Sequence, residues 1–175
     1  AAAWTRVLGV RQIADRLRSG EFSPRWLAND PDATYETFDA AIQWSWELLS
    51  STEQALCMQL AVFEGGARLQ SIESMAERDC LVDLAALVGQ SLVQRYEDAA
   101  GHSRYRMHAL VRDFAVDRLV AAGQEDTTRD RHALLFLELA ETASAALRTP
   151  AMTEWLARLD DEQANIQTAL RRFMA

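Results

Sequence analysis

Apolar residues recur at helical spacing along most of this chain of 175 residues. Apolar positions three or four residues apart predict helices over 10–19, 34–49, 69–76, 109–122, 126–147 and 152–173. A further helix is expected to begin at Ser51, where Ser51 and Gln54 have the form of a capping box, and to continue to the glycine pair at 65–66. Asp79 is the expected N-cap of one more helix, which Gly89 ends. The chain is therefore predicted to be mainly α-helical.

The pattern changes to alternation between Ser91 and Met107. Leu92, Val93 and Tyr96 fall on one strand and residues 104–107 on a second, with turn-forming residues at 98–101 between them. Helices followed by such a hairpin occur in this order in a winged helix. We predict a mainly α fold, in which a winged-helix subdomain of three to four helices plus a two-stranded β-hairpin is flanked by helical segments.

The last two predicted helices are separated at Pro150 and carry apolar stripes. The stripe residues are Leu135, Leu139, Trp155, Leu159, Ile166 and Leu170. This pattern is typical of a helical hairpin or of the first repeat of a solenoid. Near the other end, residues 21–33 hold two of the three prolines and form the best candidate for a linker.

Composition and charge narrow the class of protein. The net charge is -8, and all 18 basic residues are arginine. No apolar run approaches the roughly 20 residues that a transmembrane helix needs, so we expect a cytoplasmic protein without membrane contact. Cys57 and Cys80 each lie alone inside a helical pattern, which predicts buried thiols without metal-binding spacing.

Direct DNA binding is the obvious function to weigh for a winged helix. Reading DNA requires polar or basic side chains at base edges and cations near the phosphates. The candidate recognition helix, 80–90, has no basic residue, and residues 38–107 hold five arginines against ten acidic residues. The hairpin arginines Arg95, Arg104 and Arg106 are expected on a solvated face. Direct DNA binding by this segment is therefore predicted to be unfavourable.

The remaining histidines and carboxylates form no catalytic pattern. His102 in the turn and His132 on a helix face are expected to be solvated. Glu138, Glu141 and the acidic run 160–162 are expected on exposed helix faces, with no nucleophile nearby. We expect no catalytic residue, no metal ligand and no enzymatic activity in this segment.

Several segments resemble one family of signalling proteins. The segment MHALVRDFA at 107–115 resembles the Met-His-Asp motif that ends the winged-helix subdomain of NB-ARC-type STAND ATPases. FDAAIQWSWELL at 38–49 and LAALVGQSLV at 84–93 are similar to helices of that subdomain in bacterial members. WLARL at 155–159 is similar to the helix that leads into a TPR region in bacterial STAND transcriptional regulators. Residues 1–17 resemble the end of the preceding helical subdomain.

The resemblance implies a nucleotide-driven switch. In that family ADP lies between a P-loop domain, a helical subdomain and the winged helix, where the histidine of the motif contacts the β-phosphate. His108 is the residue that carries over, as an ADP phosphate sensor that requires the P-loop domain, while Ala109 stands where the motif has Asp. The 175 residues contain no P-loop, so ADP or ATP is implied for a longer parent protein and no cofactor for this part alone.

We therefore predict three regions: the end of a helical subdomain with a linker at 1–33, a winged-helix subdomain at 34–107, and a helical hairpin or TPR-like start at 108–175. The predicted function is that of a regulatory, non-catalytic segment of a STAND-type switch protein, a bacterial transcriptional regulator. It couples the nucleotide state of an upstream P-loop domain, its partner in cis, to protein binding or oligomerisation through the helical region. The alternatives are a stand-alone helical adaptor that binds proteins and a DNA-binding winged helix.

Overall fold

The computed structural model describes residues 40–98 and 100–174. The chain divides into two compact units, 1–48 and 49–175. The described part of the first unit contains a helical segment at 40–47, which lies inside the helix predicted over 34–49. The predictions for residues 1–33 lie outside the described residues.

The second unit contains the elements of a winged helix, followed by further helices. In chain order they are α1 Ser51–Leu60, β1 Ala67–Arg68, α2 Leu69–Ala76, α3 Leu81–Gly89, β2 Val93–Glu97, β3 Ser103–Met107, α4 Ala109–Ala121, α5 Glu125–Ala146, α6 Met152–Asp161 and α7 Gln163–Phe173. The predicted fold class is confirmed: a mainly helical chain with a winged-helix domain and a small sheet.

The sheet has three antiparallel strands in the order β1-β3-β2. In the hairpin, Val93 pairs with Met107 and Glu97 with Ser103, so the two predicted strands are confirmed. The additional strand β1 places Ala67 opposite Tyr105. Two residues are too few to show an alternating pattern, which is why β1 was not predicted.

The start and the end of α1 both differ from the prediction. Ser50, not Ser51, is the N-cap: its hydroxyl accepts the Glu53 N–H, and the Glu53 carboxylate accepts the Ser50 N–H at 2.7 Å. The helix ends at Leu60 rather than at the glycine pair. The positive φ angles of those glycines, 74° and 82°, turn the chain into β1.

Helix α3, the candidate recognition helix, begins and ends near its predicted bounds. Cys80 is the N-cap position, and the Asp79 carboxylate accepts the N–H of Leu81 at 3.0 Å, so Asp79 satisfies an amide of the first turn. Gly89 is the last helical residue, as predicted.

The C-terminal part departs from the predicted pair of helices. The helix predicted over 152–173 is interrupted at Glu162, which separates α6 from α7. Helix α7 packs along α5. Leu139 is buried as its stripe requires, but Leu170 is 54% exposed, so the stripe prediction was wrong at that position.

The core of the second unit lies between the winged-helix elements and the helices that follow them. Its largest buried apolar side chains are Leu56, Ile72, Met75, Leu84, Leu87, Val93, Leu119 and Phe136. Cys57 and Cys80 are buried free thiols, as predicted. Burial raises the pKa of Cys57 to about 12; burial and then the charge of Glu73 raise that of Cys80 to about 11.

Candidate interaction surfaces

The outward face of α3 is apolar. Leu81 is 52% and Val82 82% exposed, and Ala85 and Gly89 are also exposed on this face. The ionic side chain of the helix, Asp83, is bound by Arg78 at 2.6 Å. The face therefore offers almost no polar group to a base edge and no cation to a phosphate.

Two of the three arginines of the hairpin are exposed, as predicted. Arg95 lies beside Glu97 at 3.2 Å, and Arg106 lies over the ring of Tyr96. The third, Arg104, is only 2% exposed, so its prediction as a solvated residue was wrong.

Arg104 is the centre of a buried polar network that joins the hairpin to the break between α6 and α7. It donates to both carboxylate oxygens of Glu162, at 2.6 and 3.1 Å, and to the carbonyl of Gly66 at 3.0 Å. Its Nε donates to the hydroxyl of Tyr96. Asn165 donates to Glu162 at 2.6 Å and to Gly66 at 2.9 Å. Polar groups from the turn at Gly66, from the hairpin and from the α6–α7 break thus satisfy one another in a largely buried network.

The prediction that the acidic run 160–162 lies on an exposed face was wrong for Glu162, which is 1% exposed. The helix is interrupted at Glu162, where the carboxylate of this residue binds Arg104. Burial alone would lower the pKa of Arg104, but the hydrogen bond and charge of Glu162 raise it, so the guanidinium stays charged. Glu138 and Glu141 are exposed, as predicted.

A second ion-pair cluster lies next to the first, because Arg68 of β1 is paired with Arg104 of β3 in the sheet. Arg68 of β1 bonds to Asp98 at 2.6 Å and to Asp161 at 2.9 Å. Burial would raise the pKa of Asp98, but the backbone N–H groups of His102 and Ala100, together with the charge of Arg68, lower it to about 2. His102 itself is largely exposed, as predicted. Both clusters tie hairpin residues to the α6–α7 region by opposite charges.

His108 is the N-cap residue of α4, a helix of 13 residues. Its side chain is exposed and makes no capping hydrogen bond. The ring therefore stands next to the positive end of a helix dipole. The described residues bring no phosphate-binding loop to it, and its predicted role as a nucleotide contact stays a prediction.

His132 lies in the core, contrary to its prediction as a solvated residue. It is 1% exposed, and its ring centroid is 5.0 Å from that of Phe63 and 4.7 Å from that of Phe136. Burial lowers its pKa to about 4, against a hydrogen bond with Asn165 that acts in the opposite direction. The signal was present in the sequence, because His132 falls four residues before Phe136 on the buried side of α5.

We expect the free energy of unfolding to fall as the pH drops from about 6.5 to about 4, and His132 to be one cause. In the unfolded chain the histidine has its ordinary pKa of about 6.5 and becomes protonated in this pH range, whereas in the folded core it stays neutral. The free energy of unfolding therefore falls by about 3 kcal/mol between pH 6.5 and pH 4. Urea unfolding at pH 7 and pH 4.5 measures it. His132→Gln should flatten the pH dependence and the exposed control His108→Gln should not; an unchanged slope in His132→Gln would contradict the assignment.

A cleft of about 350 Å³ opens between the turn after α1 and the helices α5 and α7. Its lining residues are Val62, Glu64, Arg129, His132, Thr168, Arg171 and Arg172. Arg172 is bound by Asp126 and Asp130 and Arg129 by Glu125, whereas Arg171 donates to the hydroxyl of Thr168. The cleft does not indicate a particular ligand.

Among residues 40–98 and 100–174, no three His, Cys, Asp or Glu side chains are grouped to hold a metal ion. The helices of that part of the chain are all too short or too polar to span a membrane.

Comparison with known proteins identifies the winged helix. Residues 49–120 match the family described as a winged helix-turn-helix domain. The chain is 35% identical, over 97% of its length, to proteins of Mycobacterium bovis and Mycobacterium tuberculosis named "Putative HTH-type transcriptional regulator", of which it covers 20%. It is 34% identical, over 75% of its length, to an uncharacterized protein of Mycobacterium tuberculosis, of which it covers 35%. The chain thus spans about a fifth of the first relatives' length. No solved structure matches it significantly.

Proposed function

Because residues 49–120 form a winged helix-turn-helix domain, we propose that the chain is a regulatory part of a larger transcriptional regulator. We further propose that this winged helix acts by binding protein rather than DNA. The names of the mycobacterial relatives support the first statement. The apolar outward face of α3 supports the second statement, that the winged helix binds protein.

A recognition helix that reads DNA presents donors and acceptors to the major groove. Here that position is occupied by Leu81, Val82 and Ala85. Burying these groups against a polar, phosphate-lined groove gains no hydrogen bond and places no cation near a phosphate. The same groups are suited to an apolar protein surface.

The cations of the sheet add little to DNA affinity. Arg104 and Arg68 are held by the carboxylates of Glu162, Asp98 and Asp161. Arg95 and Arg106 remain exposed, which is too few to offset the acidic surface.

Fluorescence anisotropy of a labelled DNA duplex at physiological salt tests this proposal. We expect binding no tighter than about 0.1 mM at physiological salt, the weak end of non-specific affinity. The second candidate function, DNA binding through the wing, is favoured by the family match and by the exposed Arg95 and Arg106. Submicromolar binding that Arg95→Ala and Arg106→Ala abolish would support that candidate and overturn the proposal.

A finer proposal concerns nucleotide coupling. The motif at 107–115 and the free, exposed ring of His108 at a helix N-terminus support a role as phosphate sensor in a parent protein that carries a P-loop domain. The adjacent ATPase domain would be its partner in cis, with ADP or ATP as the cofactor of that domain. Contacts made only in the ADP-bound state would bias the parent toward its closed form.

Titration of the parent protein with ADP tests the sensor role. We expect His108→Ala to weaken ADP binding at least about tenfold, the loss of one charge-assisted hydrogen bond. His102→Ala, in the wing turn, is the matched control. Equal ADP affinity in the wild type and in His108→Ala would refute the sensor, whereas the proposal of a protein-binding winged helix would be unaffected.

A further inference from the structure

Helix α3 is apolar on both of its sides. Leu84 and Leu87 fill the core from its inner side, and Leu81, Val82 and Ala85 face outward. A helix that is apolar all round is normally buried on all sides. The described residues leave the outer side of α3 uncovered.

The N-terminal end of this face has an acidic rim, which we define as Glu77, Asp79 and Asp83. Glu77 and Asp79 are exposed, and Asp83 accepts a hydrogen bond from Thr52. Two arginines lie nearby: Arg78 is bound to Asp83 at 2.6 Å, and Arg131 lies 3.6 Å from Glu77, so three carboxylates face two cations. The rim therefore keeps a net negative charge beside the apolar residues.

We propose that the outer face of α3 is a docking site for a basic amphipathic helix of a partner protein. Its apolar stripe would cover Leu81, Val82 and Ala85, and its arginines or lysines would lie against the acidic rim. This inference rests on the proposed function and adds the chemistry of the partner. The nine residues of α3 span about 13 Å, so the contact matches about two to three turns of a partner helix.

Two other occupants fit the same face less well. DNA would bring phosphates to the acidic rim, where charges of the same sign repel. A second copy docked on Val82, the most exposed apolar residue of α3, would bring the rims of both copies together. Three exposed apolar side chains are also far fewer than the roughly 20–30 residues that each partner contributes to a standard stable interface, which indicates a weak, reversible contact.

The test uses the isotope-labelled full chain and two synthetic helical peptides of about 14 residues with the same leucine stripe. One peptide carries arginine beside the stripe and the other glutamate. We expect the arginine peptide to shift the amide resonances of α3 at micromolar concentrations, and the glutamate peptide to leave them unchanged. Added salt should weaken the effect, because exposed charges are screened.

Val82→Glu should weaken binding of the arginine peptide at least about tenfold, and Asp79→Asn should reduce the salt dependence of that binding. Val120→Glu alters another exposed valine, on α4, and is the matched control that should leave binding intact. Circular dichroism checks that each variant is folded.

Three results would overturn the docking site: no shift of α3 with either peptide, an equal response to both peptides, or full binding by Val82→Glu. Self-association that Val82→Glu abolishes would assign the face to a second copy instead. If a DNA duplex binds tightly and displaces the peptide, the proposed function itself, protein binding rather than DNA binding, would be refuted.

Discussion

Arg104→Met is expected to lower the free energy of unfolding by about 3–5 kcal/mol, because it leaves the Glu162 carboxylate buried without its counter-ion. The carbonyl of Gly66 and the hydroxyl of Tyr96 lose a donor in the same step. Urea unfolding followed by circular dichroism measures the loss. Arg95→Met, which removes an exposed hairpin arginine, should cost no more than about 0.5 kcal/mol.

The double variant Arg104→Met with Glu162→Leu separates the pair from its surroundings. Removing both charges eliminates the uncompensated ion, so the double variant should be more stable than either single variant. Losses that simply add in the double variant would show that the two side chains are not energetically coupled, and would contradict the network.

Gly66→Ala is expected to lower the free energy of unfolding by about 2–5 kcal/mol, the sum of backbone strain and overpacking. Its φ is +82°, and an added Cβ would lie 2.6 Å from the carbonyl oxygen of Tyr105 in β3. Relieving that contact would also displace the Gly66 carbonyl, which accepts bonds from Arg104 and Asn165. Thermal or urea unfolding measures the loss.

Gly101→Ala is the matched control, because Gly101 has nearly the same φ, +81°, but open space around the position of a Cβ. It should cost only the backbone strain, about 1–2 kcal/mol. Equal losses in the two variants would indicate that the close approach of Gly66 to β3 contributes nothing.

The local elements of the winged helix could be predicted because their signals are local. Spacing of apolar residues gives α2 and α3 nearly to the residue, and alternation with a turn gives the hairpin β2–β3. The absence of a cation from α3 also followed from sequence, whereas the outward position of Leu81 and Ala85 did not, because both share helical spacing with the buried Leu84. The predicted start of α1 was one residue too late, because Ser50 with Glu53 and Ser51 with Gln54 both fit a capping box.

The polar network could not be predicted, because its partners are far apart in sequence. Arg104 and Glu162 are separated by 58 positions, and each residue type is exposed in most proteins. Burial of either depends on the other, so no pattern within one element reveals it. The same dependence hid the break at Glu162, since helical spacing continues through it.

The labelling rates of the two buried cysteines report how often each part of the fold opens. A thiol must ionise and meet solvent before it reacts with an alkylating reagent, and the raised pKa of Cys57 and of Cys80 opposes the first step. Labelling should therefore proceed only through openings of the structure. Cys80 sits at the start of α3 and Cys57 inside α1. The ratio of their labelling rates thus distinguishes a local detachment of α3 from unfolding of the whole unit.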